Sequence, residues 1–230
     1  MTKKIVVSWS GGIDSTALIA NLANEGYEIY AYRLGGIYPI FFEGRELNAI
    51  QSLMKVPIIK DHVKYFTRES GQWLWYFSAD RKEIPKRNHR ILDRMTIWAD
   101  NCKTPNLGMG EYIGADSWVV TDHVDMGECD TRSLTAYLYS EYGLKYRLFT
   151  LDNFGDARFK NNRIDIGKKI IGKDMFKTTN CLNDFEIHCG ECYKCVERHV
   201  GFLKSFGYDE TVYKKNPELS HYYEKYLKQM

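Results

Sequence analysis

The chain has no long apolar run. Met1-Thr2-Lys3-Lys4 carries two lysines, but the apolar stretch behind them breaks at Ser8 to Gly12, too short for a secretory h-region or a spanning helix. A cytoplasmic protein without membrane contact is therefore expected. Net charge is equally scarce: 32 Lys and Arg against 30 Asp and Glu leave +2 over 230 residues. So even a balance argues against a stable complex with a long nucleic acid. No internal repeat and no low-complexity linker interrupts the sequence, which excludes solenoids and loosely tethered modules. What is present is 44% hydrophobic content, enough to bury one good core in one large domain, with or without a small appendage.

The most informative segment is Ser10-Gly11-Gly12-Ile13-Asp14-Ser15, directly after the apolar run Ile5-Val6-Val7 and ahead of the helical stretch Thr16 to Ala23. Two glycines at a strand exit let the backbone approach a ligand. The helix that follows points free N–H groups and a positive dipole end at any anion there. Ser10 and Ser15 add hydroxyl donors, and Asp14 suits a magnesium ion or a helix cap better than a phosphate. The segment lacks the lysine and spacer of G-x-x-x-x-G-K-[ST] and does not show G-x-G-x-x-G, so neither a Walker loop nor a dinucleotide fingerprint is present.

Apolar runs alternate with helical patterns along the chain. Lys4 to Trp9 reads as a strand, Asp14 to Asn24 as a helix closed by Gly26, Tyr27 to Arg33 as a strand, Glu43 to Met54 as a helix and Val56 to Asp61 as a strand, with Val119-Val120-Thr121 in a later one. This predicts an α/β fold with a parallel sheet whose carboxyl ends present the Ser10 to Ser15 loop, Asp61-His62 and Asp122-His123. Asn101 to Glu111, with Pro105, Gly108 and Gly110, reads as an inserted loop. Trp73 to Phe77 reads as core or subunit contact. The Lys and Arg of Arg81 to Arg94 and Arg158 to Lys173 are expected mostly on solvated faces, with Lys160, Lys168 or Lys173 as candidates to close over a triphosphate.

Of 6 cysteines, Cys181, Cys189, Cys192 and Cys195 crowd into one short segment. In a reducing compartment such clustering argues for metal rather than disulfides. Zinc is the preferred occupant, and an iron–sulfur cluster is the alternative. His188 adjoins Cys189, but adjacent residues seldom reach one metal, so it is left out of the ligand set. Cys102 reads as a packed apolar residue.

The six-residue loop resembles the S-G-G-x-D-S signature of the N-type ATP pyrophosphatases. Together with the C-x7-C-x2-C-x2-C cluster followed by Arg198, with Ile84-Pro85-Lys86-Arg87-Asn88 and with Lys177-Thr178-Thr179-Asn180-Cys181, it is similar nearly end to end to the 7-cyano-7-deazaguanine synthases of that superfamily. The resemblance implies a Rossmann-like sheet of the adenine nucleotide alpha hydrolase type over residues 1–175 and a small zinc-binding helical subdomain over 176–230. It also implies a homodimer that uses ATP and Mg2+. The reaction implied is the ATP-dependent conversion of 7-carboxy-7-deazaguanine and ammonia into the nitrile through adenylated intermediates, serving queuosine-type nucleosides. Ser10, Gly11, Gly12, Ile13, Asp14 and Ser15 would hold the nucleotide. Asp14 and Arg87 would be catalytic, with Arg87 and Asn88 on the substrate and Cys181, Cys189, Cys192 and Cys195 on the metal. By the chemistry of their own side chains, Asp122 with His123 is a further catalytic candidate, for magnesium or as a base on ammonia, and Asp130 or Glu128 a reader of the base edge.

The sequence departs from the family pattern at Thr121 to Asp125 and at Glu128-Cys129-Asp130-Thr131-Arg132. That loop is where an amide-forming variant would differ. Competing readings are a tRNA sulfur transferase of the same superfamily, which would want an RNA-binding face, and a nucleotide sensor without turnover.

Overall fold

A computed structural model of the chain describes residues 3–35, 40–70, 84–110, 131–181, 183 and 187–227. Strand β1 (Lys4–Ser8) leads into helix α1 (Ile13–Asn24), strand β2 (Glu28–Gly35) and helix α2 (Ile40–Leu53). Helix α3 (Pro57–His62), strand β3 (Val63–Ser70), helix α4 (Ile84–Asn101) and strand β4 (Asn106–Gly108) follow. Helix α5 (Thr131–Tyr142), strand β5 (Arg147–Phe149) and helices α6 (Lys160–Ile171), α7 (Tyr193–Phe206) and α8 (His221–Leu227) complete the described strands and α-helices, with short 3-10 turns at Leu151–Asn153, Gly172–Lys177 and Pro217–Leu219.

The strands pair in the order β3-β2-β1-β4-β5, every pair parallel. Side chains alternate across β1, so Ile5 and Val7 enter one core while Val6 enters another. Helices α1 and α6 cover the first face, and α4 and α5 cover the second with Leu107 and Tyr32 between them. Phe202 of α7 joins the first core as well, so the C-terminal segment packs on the same apolar layer as the sheet. The strand order reverses between β1 and β4, and at that point the carboxyl ends open a crevice for a ligand.

The doubly wound α/β class expected from the sequence is what the chain adopts, but two of its elements differ. Val56 to Asp61 is not a strand: Pro57 occupies the first turn of α3, where its fixed φ suits a helix. The buried residues there are Val56, Ile59 and Val63, a helical spacing rather than an alternation. The strand begins only at Val63, so Asp61-His62 lies at the amino end of the sheet, with His62 Nδ1 2.8 Å from the Tyr27 carbonyl oxygen. The supposed insertion at Asn101 to Glu111 contains β4, which pairs with both β1 and β5. Three residues are too few to show a period. Gly108 is there because a Cβ would come 3.0 Å from Val7 Cγ2, not because the chain turns. Val119-Val120-Thr121 and Trp73 to Phe77 lie outside the described residues.

Leu107, with no exposed surface, therefore sits on an interior strand of the sheet, between β1 and β5. Leu107→Ala should cost about 2–5 kcal/mol, as for a large-to-small change in a core, where a loop position would cost under about 0.5 kcal/mol. Urea denaturation of the two proteins measures the difference.

Candidate functional site

Beyond β1 the backbone is fixed by Trp9, which is fully buried and donates from Nε1 to Thr16 Oγ1 at 3.1 Å. Gly11 has φ +72°, and a Cβ there would meet the Glu46 carbonyl oxygen of α2 at 3.0 Å, so both conformation and space require glycine. Ser10 Oγ and Ser15 Oγ stand 3.2 Å apart, and the Gly12 N–H donates to Ser10 Oγ at 3.3 Å. Gly12 is the N-cap of α1 in an extended conformation, with no side-chain cap. The first turn of α1 thus presents its N–H groups and dipole at the carboxyl end of β1, an arrangement suited to an anion.

Asp14, in that first turn, is the centre of an ion network. Lys160 Nζ lies 3.0 and 3.1 Å from its two carboxylate oxygens, and Arg163 NH1 lies 3.4 Å from Oδ2. Both cations also face Glu197 of α7, Lys160 at 3.5 Å and Arg163 at 3.4 Å, while Lys194 reaches Glu197 at 3.2 Å. Lys160, Arg163 and Glu197 are buried and Asp14 keeps 27% of its side chain exposed. Desolvation pushes the Asp14 carboxyl up, but Arg163 and Lys160 outweigh it and hold it below the usual carboxylate range. Desolvation likewise pushes Lys160 below its ordinary value. The site therefore offers a charged carboxylate with one side open, a buried ammonium beside it and a helix N-terminus.

The second centre is built by the cysteines. The sulfurs of Cys181, Cys189, Cys192 and Cys195 all lie within 4.8 Å of one another, and all four residues are buried. Cys189 Sγ accepts the N–H of Cys192 at 3.3 Å and of Glu191 at 3.4 Å, and Cys181 Sγ accepts the N–H of Cys189 at 3.3 Å. Hydrogen bonds with Cys192 and Cys195 draw the Cys181 thiol well below its ordinary value, and hydrogen bonds with Cys181 and Cys192 drive that of Cys195 far above it. A cation bound between sulfurs this close would favour the thiolate form of all four. Among the described residues His188 is not in the group within reach of one ion. The fully buried Arg198 frames the centre, donating to Thr211 Oγ1, Thr178 Oγ1 and the Phe176 carbonyl at 2.9, 2.9 and 3.0 Å.

The structure brings Ser10 to Ser15 together as one loop and the four cysteines as one cluster, the two adjoining at Thr179, whose N–H donates to the Gly11 carbonyl at 3.0 Å. Arg87 and Asn88 lie in the first turn of α4, and their side chains, like Asp122, His123, Glu128, Cys129 and Asp130, lie outside what is described. Of the basic stretch 158–173, Arg158, Lys169 and Lys173 are exposed as expected, whereas Lys160 and Arg163 are buried at 2% and 0%. Lys168 and Lys173 turn elsewhere, to the Ser205 carbonyl and to Glu210. Cys102 is partly buried against the second core, as a packed residue should be. Arg163 and Glu197 escaped the sequence reading; the available sign was the charged pair Glu197-Arg198 directly after the last cysteine of the cluster.

A parallel sheet of this order, with this loop at its switch point, defines a doubly wound α/β protein that carries a cluster of four cysteines suitable for a metal ion. No family profile matches the chain. It is 27% identical over 216 residues to a 7-cyano-7-deazaguanine synthase of Caldicellulosiruptor saccharolyticus, covering 87% of this chain and 91% of that protein. It is also 27% identical over 236 residues to the synthase of that name from Thermoplasma volcanium, covering 95% and 94%. The resemblance read from the motifs is thus borne out along nearly the whole chain. Among solved structures, a U34-tRNA thiolase from Methanococcus maripaludis with its [4Fe-4S] cluster aligns with all of this chain and 74% of its own, at 15% identity and a TM-score of 0.43. No helix of the described residues is long and apolar enough to cross a membrane.

One pH effect comes from the frame of the metal centre. His199 of α7 contacts Asp209 at 2.9 Å and Glu218 at 3.7 Å, and the Asp209 hydrogen bond raises it above its ordinary 6.5. A raised folded value means that this pair's stabilisation is complete below pH 6.5 and is lost as the pH climbs through the folded value. The melting temperature should therefore decline above pH 6.5, and His199→Asn should flatten that limb in thermal scans across the range.

Proposed function

We propose that the chain is an ATP-dependent C–N ligase that converts 7-carboxy-7-deazaguanine and ammonia into 7-cyano-7-deazaguanine, acting as a cytoplasmic homodimer with one zinc per chain. The observation that carries the reading is the Ser10 to Ser15 loop with Lys160 against Asp14, in a chain similar over nearly its full length to synthases of that name.

The substrate carboxylate oxygen attacks the α-phosphorus of ATP, pyrophosphate leaves, and ammonia displaces AMP to give the amide. A second ATP adenylates the amide oxygen. Loss of AMP and the two nitrogen protons leaves the nitrile. An oxide is a very poor leaving group and AMP a good one, so the protein's work is positioning and charge neutralisation. The Gly11 to Asp14 backbone and the Ser10 and Ser15 hydroxyls hold pyrophosphate oxygens, and Lys160 offsets their charge. Asp14, kept ionised by Arg163 and Lys160, would hold Mg2+ through its open side. Arg87 would pair with the substrate carboxylate, Asn88 and Asp130 would read the base edge, and Asp122 would serve ammonia as base.

Zinc is favoured over a cluster by spacing. Cys189 and Cys195 sulfurs are 3.8 Å apart, the edge of a tetrahedron with metal–sulfur bonds of about 2.3 Å. A cubane has to hold its four thiolates farther apart to fit its own iron and sulfide between them. Zinc bound there supplies structural cross-linking rather than chemistry.

Incubation with ATP, Mg2+, ammonia and the deazapurine acid, read by mass spectrometry, should give the nitrile with AMP and pyrophosphate. An amide as sole end product, or no turnover of the acid, would overturn the assignment. Asp14→Asn and Ser10→Ala should each lower pyrophosphate release on the order of 10²-fold or more while the circular dichroism spectrum stays unchanged. Metal analysis should return about one zinc per chain, and Cys192→Ser should lose both the zinc and thermal stability. Iron in its place would point to the sulfur-transfer chemistry instead.

A further inference from the structure

Glu197 does not belong to the phosphate loop. It lies on α7, two residues after Cys195, with none of its side chain exposed. Its carboxylate nevertheless meets Lys160 at 3.5 Å and Arg163 at 3.4 Å, the same two cations that hold Asp14 at 3.0 and 3.4 Å. Two buried cations are thus shared between a carboxylate of the nucleotide loop and a carboxylate of the metal helix. Removing the second would strengthen the hold of the first on both cations, because a buried charge loses one of its counter-charges.

The position of Glu197 is set by the cysteines. Cys192 is the N-cap of α7 and Cys195 lies in its first turn, so the seating of this helix end follows the geometry of the metal centre. A second link runs in parallel. The Thr179 N–H bonds the Gly11 carbonyl at 3.0 Å, two residues before Cys181. Arg45 of α2 donates to the carbonyls of Cys181 and Ile187, while its neighbour Glu46 backs Gly11. Both centres therefore lean on the same few residues.

We propose that Glu197 is a positioning residue of the adenylation site and that, through Lys160 and Arg163, it couples metal loading of the cysteine centre to nucleotide binding at the Ser10 to Ser15 loop. This rests on the ATP reading above. With Glu197 in place, Lys160 and Arg163 are drawn partly toward α7, and Asp14 keeps an open side for a magnesium–nucleotide complex. Without it, the cations close on Asp14. Coupling between two binding sites is reciprocal, so a metal centre that improves ATP binding must itself be held more tightly when ATP is bound.

The test is chelator competition for zinc, with and without Mg2+ and ATP, in the full-length wild type, Glu197→Gln and Glu197→Asp, together with equilibrium dialysis of ATP against each zinc-loaded protein. In the wild type, ATP should raise zinc affinity by roughly 5- to 150-fold, the usual range for linked sites. Glu197→Gln should still carry zinc but lose that effect, with weaker ATP binding and a higher KM for ATP. Glu197→Asp should restore part of both. Zinc affinity indifferent to ATP in the wild type overturns the coupling without recourse to any variant, and an equal ATP effect in Glu197→Gln removes Glu197 from it. Failure of the zinc-loaded wild type to bind ATP at all would overturn the nucleotide reading itself, a distinct result from ATP that binds without linkage.

Discussion

Asp14 has to be both charged and partly desolvated, and the rest of the molecule is arranged around that requirement. A carboxylate taken from water in the first turn of a helix is tolerable only with cations at hand. Here α6 supplies them, and those cations, buried in turn, are balanced by Glu197 from α7. The charges close on one another across three helices. This explains how four charged side chains come to sit together below the surface.

The sheet order gives the network its location. Placing β1 between β2 and β4 opens a crevice at the carboxyl end of β1, and the loop leaving that strand is tight enough to let α2 on one side and the segment entering the cysteine cluster on the other both reach it. The thiolate centre then serves as the rigid base of α7. The Ser10 to Ser15 loop and the cysteine cluster are joined into one body by the Thr179–Gly11 backbone hydrogen bond and by a shared set of buried charges.

Local features were legible from residues alone. The strand–glycine–helix exit at Ser10 to Ser15 and the cysteine spacing each rest on contacts within a few residues, and both formed as read. The errors arose where tertiary context decides. A three-residue strand such as Asn106 to Gly108 leaves no periodic trace, and its glycine answers to Val7 on the neighbouring strand rather than to a turn. Val56 to Asp61 is apolar enough for either structure, and Pro57 with a 56, 59, 63 burial spacing tips it to helix. In sequence Arg163 and Glu197 look like ordinary surface charges, and Lys160 stands out only as one of three lysines that could reach a triphosphate. Only the packing of α6 onto α1, and of α7 onto α6, turns them inward.

The partners of Asp14 lie 146 and 149 residues farther along the chain, and Glu197 follows later still. During synthesis the β1–α1–β2 unit emerges and can pair locally long before these cations exist, so its carboxylate stays hydrated until the last third of the polypeptide arrives. Any product that terminates before Glu197 would hold the entire phosphate loop and yet lack its charge balance. Charge balance at the loop thus waits on the segment that carries Lys160, Arg163 and Glu197, and a shorter chain holds the loop without it.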